Sequence, residues 1–315
     1  MPRYRVYGMT MATDHPLSVP LPASDDPADL RFEVSETAPD EIDVDRMAPT
    51  YAEGRRQDGR PHFAYHALGD RDVVRLIGAM DFHCWPDRIV CHLRVAEHRY
   101  LIEVALFGMV LSLWLERRGR LTLHGSTVVV GDRAIAFLSR QGGGKTSTVA
   151  AFVGAGPPLR ADDLLVIARA EDRMVAEPGY PQLRLWPEQA RHFVGTAEGY
   201  LTFHPAHDKR RVSLDERFGR FHAAPAVLGR LYLLRRSDRP DAGVVTRRLP
   251  AREAAIALVT HSYLPREMTP LGLQPARLAF IADMLRTVAV YELEVPLGLD
   301  ELPRVVSAIE ADLPA

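Results

Sequence analysis

One short segment, residues 139–146, constrains the fold of this chain most, and its sequence is Ser-Arg-Gln-Gly-Gly-Gly-Lys-Thr. It follows an apolar run at Ala134–Leu138 that predicts a buried strand, and it leads into a predicted helix from Lys145 to Val153. Glycines let successive backbone N–H groups turn toward one point, and the N-terminus of the following helix adds positive partial charge there. The order of strand, glycine-rich loop and helix therefore predicts a phosphate-binding loop.

The residue types in this loop assign each position a role toward a nucleotide. The backbone of Gly142, Gly143 and Gly144 and the first N–H groups of the helix, up to Ser147, are predicted to bind the phosphates. The Lys145 ammonium would reach the β- and γ-phosphates, and the Thr146 hydroxyl would be a ligand of Mg²⁺. The loop departs from the strict motif at Ser139, where the first glycine is expected. A glycine-rich turn with an incidental lysine is the alternative.

Composition excludes several classes of protein. The chain has 315 residues, 39 Lys and Arg against 41 Asp and Glu, and a net charge of −2, which argues against a nucleic-acid binder that works through bulk charge. Asparagine is absent, so a eukaryotic-type protein kinase, whose catalytic loop needs one, is excluded. Two cysteines, Cys84 and Cys91, cannot form a disulfide framework, and no targeting segment or membrane-spanning run is visible. The sequence predicts a cytoplasmic protein with no membrane partner.

The pattern of elements predicts a mixed α/β protein with two domains. Residues 1–118 carry short β segments such as Tyr4–Met9 and end in a helix from Arg99 to Arg118, so they predict a β-rich N-terminal domain. Residues 119–315 alternate strands and helices around the phosphate loop. There, Leu121–Val130 and Ala134–Leu138 predict two strands joined by a tight hairpin.

Two adjacent acids, Asp162 and Asp163, precede the apolar run Leu164–Ala168 and lie 16 residues beyond Thr146. An ordinary nucleotide hydrolase carries its magnesium aspartate at the carboxyl end of a strand, so this position argues against that arrangement. The pair can supply a base for an acceptor hydroxyl and an oxygen ligand for Mg²⁺. A solvated turn before a strand is the alternative.

These elements together resemble the catalytic domain of the HPr serine kinase/phosphorylase family. The resemblance covers residues 119–170 and rests on Leu-His-Gly-Ser at 123–126, the loop ending Gly-Lys-Thr at 144–146, and Leu-Arg-Ala-Asp-Asp at 159–163. It implies a phosphate-loop fold related to phosphoenolpyruvate carboxykinase, use of Mg-ATP or Mg-GTP, and phosphorylation of a serine hydroxyl. It further implies that His124 lies near the acceptor or phosphate, that Asp162 is the base, and that Asp163 helps to hold the metal.

The resemblance has gaps. The family's second glutamate motif is not found, and Glu177 is a weak stand-in for that metal ligand, which puts the phosphorylase reaction and HPr as substrate in doubt. The string 177–186, Glu-Pro-Gly-Tyr-Pro-Gln-Leu-Arg-Leu-Trp, resembles instead HPr-kinase-like proteins of peptide natural-product clusters, including lasso-peptide clusters, some of which modify a serine of the precursor peptide. HPr kinases form hexamers, and a homo-oligomer is left open here.

The second lysine, Lys209, stands in a charged run, His207–Arg211. As one of only two lysines in the chain, beside Lys145, it is a candidate catalytic cation that would neutralise the transferring phosphate. A solvated charge run is the alternative. The sequence thus predicts a Mg-ATP-dependent serine kinase, with a nucleotide-binding regulator and a kinase of a small-molecule hydroxyl as alternatives.

Overall fold

The computed structural model describes residues 1–38, 44–54, 59, 61–204, 207–215, 217–237 and 243–313. The chain divides into two compact units, Met1–Arg118 with Arg266–Pro275, and Gly119–Pro265 with Ala276–Ala315. Strands and helices are mixed, with two eight-stranded sheets, so the α/β class is confirmed. The short segment 266–275 belongs to the first unit although the sequence gives no sign of it.

The first unit is built on a mixed eight-stranded sheet with the order β1-β2-β3-β8-β7-β6-β5-β4. Its strands are β1 (Arg3–Val6), β2 (Met9–Thr13), β3 (Leu30–Ser35), β4 (Tyr51–Glu53), β5 (Phe63–Ala67), β6 (Asp72–Leu76), β7 (Met80–Cys84) and β8 (Arg88–Leu93). Two 3₁₀ turns, Val44–Arg46 and Ala96–His98, accompany them.

The single strand predicted at Tyr4–Met9 is two strands in the structure. Tyr7 and Gly8 form the turn between β1 and β2 and have φ of 52° and 72°. A two-residue hairpin turn of this hand needs positive φ at both positions, which a continuous strand cannot accommodate. Burial holds Tyr7 in this unusual conformation, since it is 1% exposed and its hydroxyl donates to the carbonyl of Phe107.

The helix predicted from Arg99 to Arg118 is present but interrupted. It consists of α1 (Leu101–Ala105), a π-helical turn (Leu106–Val110) and α2 (Leu111–Glu116). Gly108 has non-helical dihedrals, φ −115° and ψ −109°, at the interruption, which glycine tolerates because it lacks a Cβ. None of the helices in the described part of the chain is long and apolar enough to cross a membrane.

The second unit has a larger set of elements around its own sheet. The strands are β9 (Leu121–Val130), β10 (Arg133–Leu138), β11 (Leu159–Ala161), β12 (Leu164–Ala170), β13 (Arg173–Ala176), β14 (Gln182–Leu185), β15 (Thr202–His204), β16 (His207–Ser213), β17 (Ala226–Arg236), β18 (Val245–Arg248) and β19 (Ala289–Val295). The helices are α3 (Lys145–Ala155), α4 (Pro187–Val194), α5 (Ala251–Thr260), α6 (Gln274–Met284) and α7 (Leu302–Asp312).

Strands β9 and β10 match their sequence predictions closely, and α3 and β12 begin at the predicted residues. Strand β9 has the predicted bounds, and β9 and β10 are antiparallel with Val130 opposite Arg133, so Gly131 and Asp132 form the predicted hairpin turn. Gly131 has a φ of 61°, the value such a turn needs. The hairpin is therefore confirmed.

The main sheet of the second unit has the order β10-β9-β12-β13-β17-β19-β18, with β11 beside β9. Strand β10 also pairs with β17, so five of the strands close into a ring. Strand β17 runs parallel to both β10 and β19, with Leu138 opposite Leu233. Because parallel neighbours end at the same edge of a sheet, the segments that follow β10 and β17 emerge side by side.

Apolar residues cover both faces of this sheet. Helices α3 and α7 pack on one face, where Phe137, Phe152 and Val305 are fully buried. Helices α5 and α6 cover the other face through residues such as Leu258 and Ile281. A separate three-stranded sheet, β14-β16-β15, packs its Leu183, Leu185 and Val212 into the α3 side of the core. This layering fixes the N-terminus of α3 at the edge where β10 ends.

Candidate functional site

The glycine-rich loop lies where the sequence places it, between β10 and α3. Gly142 and Gly144 have φ of 77° and 98°, conformations that glycine adopts without strain. A Cβ on Gly143 would lie 2.5 Å from the Ser139 Oγ and 3.0 Å from the Arg140 carbonyl oxygen. The loop is thus too tight at its centre for any side chain.

Helix α3 begins at Lys145, so the N–H groups of Lys145, Thr146 and Ser147 belong to its first turn. The first N–H groups of a helix have no carbonyl partner within the helix and attract anions. Ser147 is 4% exposed and lies deeper in the core than the loop glycines. The loop glycines are therefore the accessible part of the predicted phosphate-binding segment, and the Ser147 side chain is buried behind them.

The Lys145 ammonium lies inside the loop. Its Nζ donates to the Ser139 carbonyl oxygen at 2.9 Å and is 3.4 Å from the Arg140 carbonyl oxygen. Burial lowers the pKa of Lys145 to about 8, against the opposing effect of the nearby aspartates. These two carbonyl oxygens and the Ser139 hydroxyl, which lies 3.5 Å from Nζ, are neutral hydrogen-bond partners. An ammonium bound to neutral oxygens gains by moving to a phosphate, because hydrogen bonds to a charged acceptor are stronger.

Asp162 joins three segments that are distant in sequence. Its Oδ1 accepts hydrogen bonds from the Thr146 hydroxyl at 2.9 Å and the Ser126 hydroxyl at 2.6 Å. Its Oδ2 accepts one from the backbone N–H of Arg184 at 3.1 Å. The predicted acid pair and the predicted metal ligand Thr146 are thus in direct contact.

Asp163 faces a different set of groups and has a positive φ of 75°. Its Oδ2 accepts from Arg184 Nη1 at 2.7 Å and from the Tyr263 hydroxyl at 3.4 Å, and its Oδ1 lies 3.5 Å from His124 Nδ1. Burial disfavours the ionised carboxylate, but the surrounding positive charges, Arg184 foremost, outweigh it and lower the pKa of Asp163. Asp163 is therefore ionised at neutral pH.

His124, a residue of β9, lies beside Asp163. Its backbone N–H donates to the His261 carbonyl at 2.8 Å, and its ring packs edge-on to Tyr263 with centroids 5.9 Å apart. Burial lowers the pKa of His124 below its usual 6.5, while Asp163 opposes the shift. The imidazole is consequently neutral at pH 7.

Lys209 lies on β16, the central strand of the three-stranded sheet, and this sheet brings it near the site. The β14–β16 register sets Arg184 opposite Arg211, and Lys209 lies two residues along β16 on the same face. The Lys209 Nζ is 5.6 Å from the centroid of the Trp186 ring, and its charge acts on Asp163, helping to lower the pKa of that carboxyl. The face opposite the buried Leu183 is therefore basic and turned toward the acid pair.

Glu177, the weak stand-in for a second metal ligand, is held elsewhere. Its Oε1 is 3.5 Å from Arg120 Nη1, and burial raises its pKa against the effects of Arg120 and Arg160. Among the residues that the structure describes, the ion-pair partner of the Glu177 carboxylate is Arg120, not the acid pair Asp162 and Asp163. The structure thus brings together His124, Lys145, Thr146 and the two aspartates, with Lys209 nearby, and leaves Glu177 apart.

Several residues at the site were given no role from the sequence. Arg184 binds Asp163 and Tyr180, Tyr263 binds Asp163, and Ser126 binds Asp162. Ser126 belongs to the Leu-His-Gly-Ser motif, and Tyr180 and Arg184 lie in the string 177–186, but neither pattern shows what these side chains contact. Tyr263 lies outside every motif and reaches the site through the segment after α5.

Comparison with known proteins finds likeness among solved structures only. No family model matches the chain, and no curated protein matches its sequence. Among solved structures, the chain is similar to the "Hpr(Ser) kinase/phosphatase from Coxiella burnetii", with 10% sequence identity, a TM-score of 0.36, and coverage of 61% of this chain and 94% of that one. A likeness this distant does not indicate a function, so the geometry of the site has to supply one.

Proposed function

We propose that the second unit is a Mg-ATP-dependent kinase that transfers the γ-phosphoryl group to a serine hydroxyl of a peptide or small protein. The observation that carries the proposal is the 2.9 Å hydrogen bond between the Thr146 hydroxyl at the start of α3 and the carboxylate of Asp162. It joins an anion-binding helix N-terminus to an acid pair, the two parts that phosphoryl transfer needs. A glycine-rich turn without function would not require this contact.

The nucleotide phosphates would bind the loop. The N–H groups of Gly144, Lys145 and Thr146 would surround the phosphate oxygens, and the Lys145 ammonium would leave the Ser139 carbonyl for the β- and γ-phosphates. Lys209 and Arg184 add positive charge on the other side of the acid pair. In this charged setting the transferred group, with its three anionic oxygens, is stabilised by electrostatics.

The donor set fits Mg²⁺. Thr146 supplies a hydroxyl oxygen, a hard ligand of the kind Mg²⁺ prefers, and the Asp162 carboxylate accepts the hydrogen bond of that hydroxyl and adds negative charge beside it. Among the residues that the structure describes, no three His, Cys, Asp or Glu side chains group as metal ligands, but a nucleotide-bound Mg²⁺ takes further ligands from phosphates and water. Bound there, the ion would neutralise charge on the phosphate oxygens.

The two acids divide their roles in the reverse of the sequence prediction. Asp162 accepts three hydrogen bonds and contacts the metal ligand Thr146, so we assign it to support the metal site. Asp163 has its Oδ1 next to His124 and is 23% exposed, so we assign it as the base. In the transfer, the serine Oγ forms its bond to the γ-phosphorus as the bond to the leaving ADP oxygen breaks, and Asp163 accepts the hydroxyl proton.

Mass spectrometry tests the proposal. The protein is incubated with Mg-ATP or Mg-GTP and three acceptor sets: serine-containing peptides, small proteins, and free hydroxyl metabolites. A phosphate adduct on a serine that disappears with Lys145→Met and persists with the surface control Arg304→Met is the expected result. Adducts only on metabolites would favour a small-molecule kinase.

A parallel measurement separates transfer from binding. If nucleotide raises the thermal midpoint of the protein but no acceptor set yields an adduct, the protein is a nucleotide-binding regulator and the kinase proposal is wrong. If nucleotide neither binds nor shifts the midpoint, the phosphate-loop assignment is wrong as well.

A further inference from the structure

Arg236 is the last residue of β17, at the edge of the sheet where the phosphate loop begins. Strand β17 is the parallel neighbour of β10, with Leu233 opposite Leu138. Because β10 leads directly into residues 139–144, the end of β17 passes beside the loop. Arg236 is thus carried to the nucleotide site by strand pairing across nearly a hundred positions of sequence.

The Arg236 side chain is directed at the loop. Its Nη2 and Nε atoms lie 3.5 Å and 3.8 Å from where a Cβ on Gly144 would stand. Gly144 is the residue immediately before α3. The guanidinium therefore lies over the N-terminus of that helix.

This position is electrostatically unfavourable for a cation by itself. A helix N-terminus carries positive partial charge and stabilises anions, and the Lys145 ammonium is the next side chain along. A guanidinium held there is stabilised when an anion lies between the three positive groups. Arg236 thus has the placement of a ligand-binding cation rather than of a structural one.

The residues on either side of Arg236 have structural partners. Arg235 donates to the Glu294 carboxylate at 2.8 Å, and the Ser237 hydroxyl donates to the same carboxylate at 2.7 Å. Arg236 points to the other side of the strand, is exposed, and forms no ion pair with any carboxylate of the described residues. The two flanking residues hold the backbone through Glu294, and the Arg236 guanidinium lies near Gly144 of the loop.

We infer that Arg236 binds the polyphosphate of the nucleotide and, together with Lys145, makes the site selective for di- and triphosphates. The inference rests on the proposed function, since it names a further residue of the same nucleotide site. A guanidinium suits this role because its planar set of donors can bind two phosphate oxygens at once.

Calorimetric titration of the full chain tests this inference. ATP, ADP, AMP and adenosine are titrated with Mg²⁺ into the wild type, Arg236→Met, Arg236→Lys and the matched control Arg235→Met. We expect Arg236→Met to weaken ATP and ADP by about tenfold or more, the loss of a charge-assisted contact. Adenosine should change less than about twofold, Arg236→Lys should restore part of the affinity, and Arg235→Met should bind ATP as the wild type does.

Four results would overturn the inference. ATP affinity that is unchanged in Arg236→Met excludes a phosphate contact, and an equal loss for adenosine and ATP indicates stacking on the base instead. If Arg236→Met is unfolded by circular dichroism, Arg236→Lys decides, because a structural arginine would show the same proportional loss for all four ligands. A wild type that binds no nucleotide contradicts the proposed function itself, and this inference with it.

Discussion

Replacing Asp162 and Asp163 by asparagine, one at a time, separates the two roles assigned to the acid pair. Asp162→Asn keeps the shape of the side chain and removes its charge. The two hydroxyls at Oδ1, of Ser126 and Thr146, can rotate to accept from the new amide, and the Arg184 N–H keeps an oxygen partner. The fold should therefore lose only about 1–2 kcal/mol of unfolding free energy, the difference between hydrogen bonds to a charged and to a neutral acceptor.

The effect on Mg²⁺ should be larger. Asp162 contacts the proposed metal ligand Thr146 at 2.9 Å, and loss of a group that supports a metal ligand costs about 10–100-fold in metal affinity or activity. We expect Asp162→Asn to raise the Mg²⁺ concentration for half-maximal transfer by that factor. Asp163→Asn should leave this concentration within about threefold and lower kcat by about 10²–10⁴-fold, the usual contribution of a general base.

A coupled assay of ADP release, with Mg²⁺ titrated at saturating acceptor, measures both quantities. Urea unfolding of each variant checks that the fold is retained. If Asp162→Asn lowered kcat with an unchanged Mg²⁺ requirement, and Asp163→Asn raised that requirement, the assignment from the contacts would be refuted. The sequence-based assignment, with Asp162 as the base and Asp163 at the metal, would then be correct.

Three further predictions concern the loop and its cations. Burial lowers the pKa of Lys145 to about 8, and bound phosphates favour its charged form, so nucleotide affinity should fall as the pH rises above about 8. Binding at pH 8 should therefore take up protons, which calorimetry in buffers of different ionisation enthalpy measures. A nucleotide affinity that is independent of pH from 7 to about 9.5 would contradict this prediction. Gly143→Ala should destabilise the protein by about 1–3 kcal/mol, because the new Cβ would lie 2.5 Å from the Ser139 Oγ. In the double variant, Ser139→Gly should relieve part of this cost. Strictly additive changes in the free energy of unfolding would show that the two positions do not interact. Lys209→Met should lower kcat by about tenfold or more, and Lys209→Arg should retain part of the wild-type kcat, with nucleotide affinity unchanged in both variants. A wild-type kcat in Lys209→Met would show that Lys209 belongs to a solvated charge run.

The sequence locates the loop and the hairpin well because both depend on neighbouring residues. Gly142 and Gly144 adopt positive φ wherever the chain turns this sharply, and helix α3 follows from its own i to i+4 hydrogen bonds. Gly131 and Asp132 similarly determine the turn between β9 and β10. In contrast, the prediction of one continuous strand at Tyr4–Met9 was wrong, because the buried Tyr7 adopts a turn conformation that tyrosine does not favour.

The partners of the acid pair could not be read from the sequence. Adjacent aspartates are equivalent in a motif, and only the folded backbone turns Asp162 toward Thr146 and Asp163 toward His124. The positive φ at Asp163 produces that divergence. Glu177 lies in the string 177–186 that stands out in the sequence, yet the folded chain places it against Arg120 and not at the acid pair.

The sequence by itself determined that this chain carries a glycine-rich loop ending in Gly-Lys-Thr at the start of a helix, with an acid pair a short distance beyond it. Dihedral preferences and local hydrogen bonds suffice for such features, because they act between residues a few positions apart. The tertiary structure alone decided which aspartate contacts Thr146, that Arg184 and Lys209 approach Asp163, and that Arg236 lies on Gly144. Those placements depend on strand register and on which strands are neighbours, and these are set by burial of the two core faces of the sheet rather than by any residue at the site.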